Sequence, residues 1–316
     1  MATATPSSLS LDEVRAALAG ALRPTQLNAL ASGPHAGPLL LASELGQHTG
    51  SFKARGALGA ARFSTASHLL TASSGNFGAA LAWAAAGAGR RCTVVMPDNS
   101  LERKVAAVRA HGAAVELIDT ARISRVDRLR QLAAETPDSE AISPFDDERV
   151  IFGNATLGFE ILAAMPTLDA ILVPIGGGGI AAGLCVARDA LGLPTQIYGC
   201  EPALGDDAAR SLAAGRIIAN PAEPATICDG ARTISLGVRN FAILQRGLAG
   251  IFVVDDAAIH RALPDLAALG LAAEPTGALG FAALQQNSTV LHRRSVACVV
   301  SGGNRAGIAP LPLSPA

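Results

Sequence analysis

Lys53 and Lys104 are the two lysines in a chain of 316 residues. Only Lys53 has a setting that could make its amine a nucleophile. It follows an aromatic ring in the string Thr49-Gly50-Ser51-Phe52-Lys53-Ala54-Arg55-Gly56-Ala57. A lone lysine is ordinarily a solvated surface charge. Beside an apolar ring it can sit in a partly dry site, where its pKa falls and the free amine can condense with an aldehyde. Lys104 lies on an expected helix and is expected to face solvent.

Three other segments carry small, backbone-exposing residues. Gly176-Gly177-Gly178-Gly179 follows the apolar run Ile171-Leu172-Val173-Pro174 and precedes a helical stretch. Four glycines cost conformational entropy, so the backbone there must need close approach or a positive φ. A strand, a glycine turn and a helix start form an anion site from N–H groups and the helix dipole. The rival readings are a flexible turn and a dinucleotide loop. Ala181 occupies the place of the third glycine of the dinucleotide pattern, which favours a single phosphate. Ser73-Ser74-Gly75-Asn76-Phe77-Gly78 also runs from a strand into a helix. Its side chains and N–H groups could hold a carboxylate, or the serines could be ordinary helix caps. Ser301-Gly302-Gly303-Asn304 follows Val299-Val300, at the kind of strand end where parallel sheets bind ligands. Finally, Glu201 and Asp207 offer hard oxygens that a Gly205 carbonyl could join, a set suited to Mg²⁺ or Ca²⁺. The alternative for that segment is a solvated acidic turn.

These segments need elements to carry them. Strands are expected at 68–72, 92–96, 114–118, 170–174, 196–201, 251–254 and 296–300. Helices are expected at 79–88, 101–111, 123–135, 159–164 and 180–191. Strands alternating with helices signal parallel sheets covered on both faces. Breaks near Pro137 and Pro144 suggest a crossing between two lobes. The expected division is a large, discontinuous domain of 1–67 and 146–316 and a small domain of 68–145.

Composition sets the outer limits. Half the residues are hydrophobic, aromatics are only 3%, and the formal net charge is −1. The core must therefore pack mainly with aliphatic and small side chains. The charge gives no electrostatic footprint for nucleic acid or an anionic membrane. Mean hydropathy is positive, but the most apolar stretch, 79–88, is mostly alanine and too short to span a bilayer. Residues 1–10 lack the features of a signal peptide. The five cysteines are scattered without a C-x-x-C pair, which reads as reduced thiols in a cytoplasmic protein.

Taken together, the motifs resemble the pyridoxal-phosphate enzymes of the tryptophan-synthase-β fold type (fold type II), and within them the threonine dehydratase and serine racemase branch. The Ser-Phe-Lys-x-Arg-Gly-Ala string is similar to that family's cofactor-lysine motif, and the resemblance runs from about residue 39 to 304. Weaker matches are Pro144-Phe145-Asp146-Asp147, Gly153-Asn154-Ala155-Thr156, Thr226-Ile227-Cys228-Asp229-Gly230 and Glu274-Pro275-Thr276-Gly277-Ala278. The resemblance implies an α/β fold of two domains, each an open, mostly parallel sheet flanked by helices. It implies pyridoxal phosphate, held by Phe52, Lys53, Asn76, the four glycines and Ser301. Lys53 would form the Schiff base and move the α-proton, with Asn76 at the cofactor's phenolic oxygen and Ser301 at its pyridine nitrogen. Ser73, Ser74, Phe77 and Gly78 would lie at the substrate, with Ser74 as the acid/base of the second face. A neutral hydroxyl at the pyridine nitrogen does not force that nitrogen to stay protonated, which favours β-elimination over transamination.

The implied activity is that of an ammonia-lyase acting on a small β-hydroxy amino acid of the serine, threonine or 3-hydroxyaspartate type, in a homodimer. The alternatives are an amino-acid racemase and a non-catalytic cofactor-binding protein. Phe77 departs from the family's usual histidine. It should either widen tolerance for an apolar β-substituent or merely pack beneath the loop. At the possible metal site, Gly205 stands where metal-binding members usually have alanine.

Overall fold

The computed structural model describes residues 9–73 and 75–304. In chain order its elements are α1 (Leu11–Leu18), β1 (Gln26–Leu30), β2 (Leu39–Ser43), α2 (Lys53–Phe63), β3 (His68–Ala72), α3 (Asn76–Gly87), β4 (Arg91–Pro97), α4 (Glu102–Arg109), β5 (Ala114–Ile118), α5 (Arg125–Glu135) and β6 (Ser139–Ala141). There follow α6 (Glu148–Ala164), β7 (Ala170–Pro174), α7 (Gly179–Leu191), β8 (Gln196–Pro202), α8 (Asp207–Ala214), α9 (Val238–Gly247), β9 (Leu248–Val254), α10 (Asp256–Ala268), α11 (Pro275–Gln286) and β10 (Val296–Val300).

Two sheets result. One has six strands in the order β1-β2-β10-β7-β8-β9, and the other has four in the order β5-β4-β3-β6. Only the β1–β2 pair is antiparallel. The central strands β2, β7 and β10 are buried along their whole length, as continuous apolar runs covered on both faces must be. The chain is thus an α/β protein with two mostly parallel, helix-flanked sheets. The segment before residue 68 serves both: β1 and β2 join the six-stranded sheet, while Val14, Leu18, Ala57 and Ala61 pack with Leu69, Leu81 and Val94 of the other lobe.

A core with so few aromatics closes by bringing backbones together. A Cβ on Gly153 of α6 would strike the Arg55 carbonyl and come within 2.9 Å of Gly56 Cα on α2. One on Gly158 would lie 2.6 Å from Ala187 Cβ on α7. The sequence suggests helix only over 159–164 because small and polar residues at 153–156 read as a break. Those residues are instead where α6 crosses its neighbours.

The five cysteines are free and buried. No helix among the described residues is long and apolar enough to cross a membrane.

Candidate functional site

The motifs meet at the C-terminal ends of parallel strands. β2 and β10 are neighbours, and the chain leaving β2 is tied to the chain leaving β10 by a bridge between Ser51 and Gly302. The Phe52 N–H donates to the Ser301 carbonyl at 3.0 Å. Lys53 and Ser301, 248 residues apart in sequence, are thereby fixed side by side. The Ser73–Gly78 segment faces them from the end of β3. A cavity of about 570 Å³ lies between, lined among others by Phe52, Lys53, Ser73, Asn76, Phe77 and Ser301.

Lys53 Nζ stands 4.8 Å from the Phe52 ring centroid and 5.8 Å from that of Phe77. It donates a 3.3 Å hydrogen bond to the Pro144 carbonyl. Burial lowers its pKa from 10.5 to about 8, against a smaller upward pull from the Glu274 carboxylate. The amine is therefore partly neutral, and so nucleophilic, near physiological pH.

Opposite Lys53, the Ser73 hydroxyl oxygen accepts from the N–H groups of Gly75, at 3.3 Å, and Gly78, at 3.1 Å. It braces the loop as well as lining the cavity. Phe77 is 2% exposed and belongs to the core beneath α3, yet its ring also forms part of the cavity wall. Ser74 lies outside the described residues.

Asn76 is held by two side chains from the other lobe. Its Nδ2 donates to Glu274 Oε1 at 2.7 Å, and its Oδ1 accepts from Asn304 Nδ2 at 2.9 Å. Lys104, expected at the surface, turns into the cleft instead. It pairs with Asp229 at 2.5 Å, its side chain only 18% exposed. Periodicity put a polar face of α4 in solvent, but a neighbouring lobe supplies the counter-charge there.

The glycine loop opens α7 but is not on the cavity wall. Gly178 takes a φ of +93°, which side chains resist. Any Cβ on Gly177 would run into the Phe145 ring, and one on Gly179 would lie 2.9 Å from the Phe145 carbonyl. Phe145 thus stands between the loop and the cavity. The N–H groups of Gly176 to Gly179 donate to no acceptor among the described residues. Unpaired N–H groups at the start of the 13-residue helix α7 fit a phosphate.

The possible metal segment is not a solvated turn: Glu201 and Asp207 are 1% and 2% exposed. Glu201 accepts from the N–H groups of Ala208, at 3.1 Å, and Ala209, at 2.7 Å, at the start of α8. Asp207 Oδ1 accepts from Asn220 Nδ2 at 2.8 Å, while Oδ2 is buried without a partner. Burial pushes Glu201 up to about 8, with the Asp207 charge adding to it, and burial pushes Asp207 up to about 6. Two desolvated carboxyls with an orphaned oxygen fit a hard cation. A Cβ on Gly205 would meet Pro224 at 2.8 Å, which accounts for glycine at this place. Among the described residues no group of three or more His, Cys, Asp or Glu forms a metal-holding cluster, so a third ligand there would have to be backbone.

Sequence reasoning named Glu274, Phe145 and Asp229 only inside motif matches, without a role, and passed over the buried ion pairs of Arg55. Glu274 sits immediately before Pro275, a pattern that reads only as a helix start, and nothing local reveals that its carboxyl faces the cavity.

Comparison with known proteins agrees with this geometry. Residues 18–302 match the family described as pyridoxal-phosphate dependent enzyme. The chain is 36% identical over 263 residues to L-threo-3-hydroxyaspartate ammonia-lyase of Pseudomonas sp, covering 82% of each chain. It is 34% identical over 277 residues to serine racemase of Bos taurus, covering 84% of this chain and 82% of that one. Among solved structures, a threonine deaminase from T.th. superposes with a TM-score of 0.88 at 40% identity, over 96% of this chain and all of that one. The chain belongs to the family of pyridoxal-phosphate-dependent enzymes and has their fold type II architecture.

Proposed function

We propose that the protein is an ammonia-lyase that converts a small β-hydroxy amino acid of the 3-hydroxyaspartate, threonine or serine type to a 2-keto acid and ammonia. The observation that carries this reading is the partly buried Lys53 amine, 4.8 Å and 5.8 Å from the Phe52 and Phe77 ring centroids and sharing one cavity with Ser73, Asn76 and Ser301. Pyridoxal phosphate, when bound, supplies an electron-withdrawing ring that acidifies the α-C–H of an amino acid joined to it. Lys53 anchors that group and, as a free amine with its pKa lowered to about 8, takes the α-proton. The unpaired N–H groups of Gly176 to Gly179 would hold the cofactor's phosphate. The start of α3 receives the substrate carboxylate. Ser301 meets the pyridine nitrogen with a neutral hydroxyl, which favours loss of a β-leaving group. Hydroxide departs with a proton as water, and water then hydrolyses the released enamine, so the net products are keto acid and ammonia.

A second reading is inversion of the α-carbon, with Ser74 in the second acid/base role that the family resemblance implies, because serine racemases match the chain as closely as the lyases do. The two-lobe division at 68–145, a homodimer, a cytoplasmic location, and a Mg²⁺ or Ca²⁺ ion held by Glu201, Asp207 and the Gly205 carbonyl belong to the same proposal. The Lys53→Ala protein tests it. That variant should lose the visible, borohydride-sensitive absorbance of lysine-linked cofactor and roughly a thousandfold or more of turnover, while keeping its fold. Keto-acid release at the parent rate would overturn the assignment.

A further inference from the structure

Glu274 is a 5% exposed carboxyl in the wall of the Lys53 cavity, and the reaction above gives it no task. It ends a chain of hydrogen bonds that crosses between the lobes. Asn304 Nδ2 donates both to the Thr49 carbonyl and to Asn76 Oδ1, each at 2.9 Å. Asn76 Nδ2 then donates to Glu274 Oε1 at 2.7 Å. The start of the chain can only accept, because Thr49 offers a carbonyl. Its finish can only accept as well when Glu274 is ionised. Between two such ends the direction of both amides is forced: neither Asn304 nor Asn76 can turn over without setting oxygen against oxygen.

The surrounding backbone makes room for this arrangement. Thr49, a β-branched residue, is held at φ +59°, a conformation that costs energy and persists only where the surroundings impose it. A Cβ on Gly50 would collide with the Asn304 amide, and one on Gly302 would come within 2.8 Å of Glu274 Oε1. The Glu274 N–H is tied to the Gly302 carbonyl at 3.0 Å.

We propose that Glu274 is a positioning residue: its carboxylate, working through Asn76 against the fixed Thr49 carbonyl, sets the direction in which the Asn76 amide faces the cofactor ring. This rests on the reading of Asn76 as a cofactor contact. With Nδ2 turned to Glu274 and Oδ1 to Asn304, the second Nδ2 hydrogen is the one left to offer a ring oxygen. The charged groups facing Glu274 are Asp229, whose charge raises its pKa, Lys104, which lowers it, and Lys53 on the other side of the cavity. Protonation of Glu274 would let this end of the relay donate as well as accept, and so relax the constraint on the direction of the Asn76 amide.

The test is a double-mutant cycle on the purified full chain, stripped of cofactor and titrated with pyridoxal phosphate. The readouts are the dissociation constant and the visible absorbance of the bound cofactor against pH. N76A and E274A should each weaken binding about tenfold, in line with loss of a charge-assisted hydrogen bond. The double variant should be no weaker than N76A alone, because the two act as one unit. E274Q can still accept through its amide oxygen, so it should keep most of the affinity, but its absorbance should lack any step near pH 7 that the parent shows. Three results would overturn the proposal: effects that multiply to about a hundredfold in the double variant, no effect of N76A, or a step near pH 7 that survives in E274Q. Keto-acid release by the parent is measured separately and reports on the reaction. A coupled cycle without keto acid would sink the lyase reading and leave the relay standing.

Discussion

Burial sets the character of the reactive amine, and no counter-charge dominates it. Lys53 was legible because one ring, two glycines and the absence of a competing lysine single it out in the sequence. Phe77 was half legible. Its type said apolar, but whether it meets the substrate depends on a ring that is both core and cavity wall, which no local pattern encodes. A phenyl ring can neither hydrogen-bond nor carry charge. Phe77→His should therefore shift the ratios of kcat/KM among serine, threonine, 3-hydroxyaspartate and β-phenylserine, disfavouring the last by at least about fivefold, or roughly 1 kcal/mol. Ratios unchanged within about twofold would make Phe77 structural only. Glu274 was legible only as part of a motif match; its contacts were not, since they depend on Asn76 and Asn304, 198 and 30 residues away in sequence.

At the scale of elements, strands declared themselves best. β3, β5, β7 and β10 fall where their apolar runs and flanking turns put them; β7 and β10 are buried along their whole length, whereas β5 is an edge strand with only Ile118 buried. α2 and the first half of α6 were hidden by glycine and small polar residues that serve close packing. α2 carries Lys53 at its first position, and Arg55 locks it in place. Arg55 is fully buried, bonded to Glu44 at 2.7 Å and to Glu160 at 2.7 Å, with Thr25 and Thr156 completing its partners. Removing one member of such a network leaves buried charge without compensation. Arg55→Met should cost about 3–5 kcal/mol in urea unfolding, and a loss below about 1 kcal/mol would show that the network is dispensable.

The turn between β8 and α8 makes its own prediction. A carboxyl whose folded pKa lies above its unfolded value binds extra protons in the folded state, so it withdraws stability as pH rises towards the folded value. Glu201, moved from 4.5 to about 8, should therefore make the chelator-treated protein melt at lower temperature as pH rises through that window. Glu201→Gln should flatten the fall. Mg²⁺ or Ca²⁺ should restore the parent above about pH 8, because a ligand that binds only the folded state stabilises it. A parent whose melting is indifferent to both chelator and added ion would refute the metal site.

For the molecule as a whole, alternating strands and helices announced two mostly parallel sheets, and the C-terminal strand ends announced where a ligand would sit. The sequence could not show how α1 and α2 cross to the smaller sheet, nor that Lys104 reaches Asp229, because both depend on how the two lobes meet. That meeting encloses the cavity and brings Lys53, Ser73, Asn76, Phe77 and Ser301 to its wall. The most direct test is to supply the cofactor-loaded protein with L-threo-3-hydroxyaspartate, L-threonine and L-serine in turn, and to measure keto acid, ammonia and the configuration of the remaining amino acid. The lyase account predicts keto acid and ammonia in equal amounts from at least one of the three, lost in Lys53→Ala. Inversion of the α-carbon without keto acid, or no product from any of them, would contradict it.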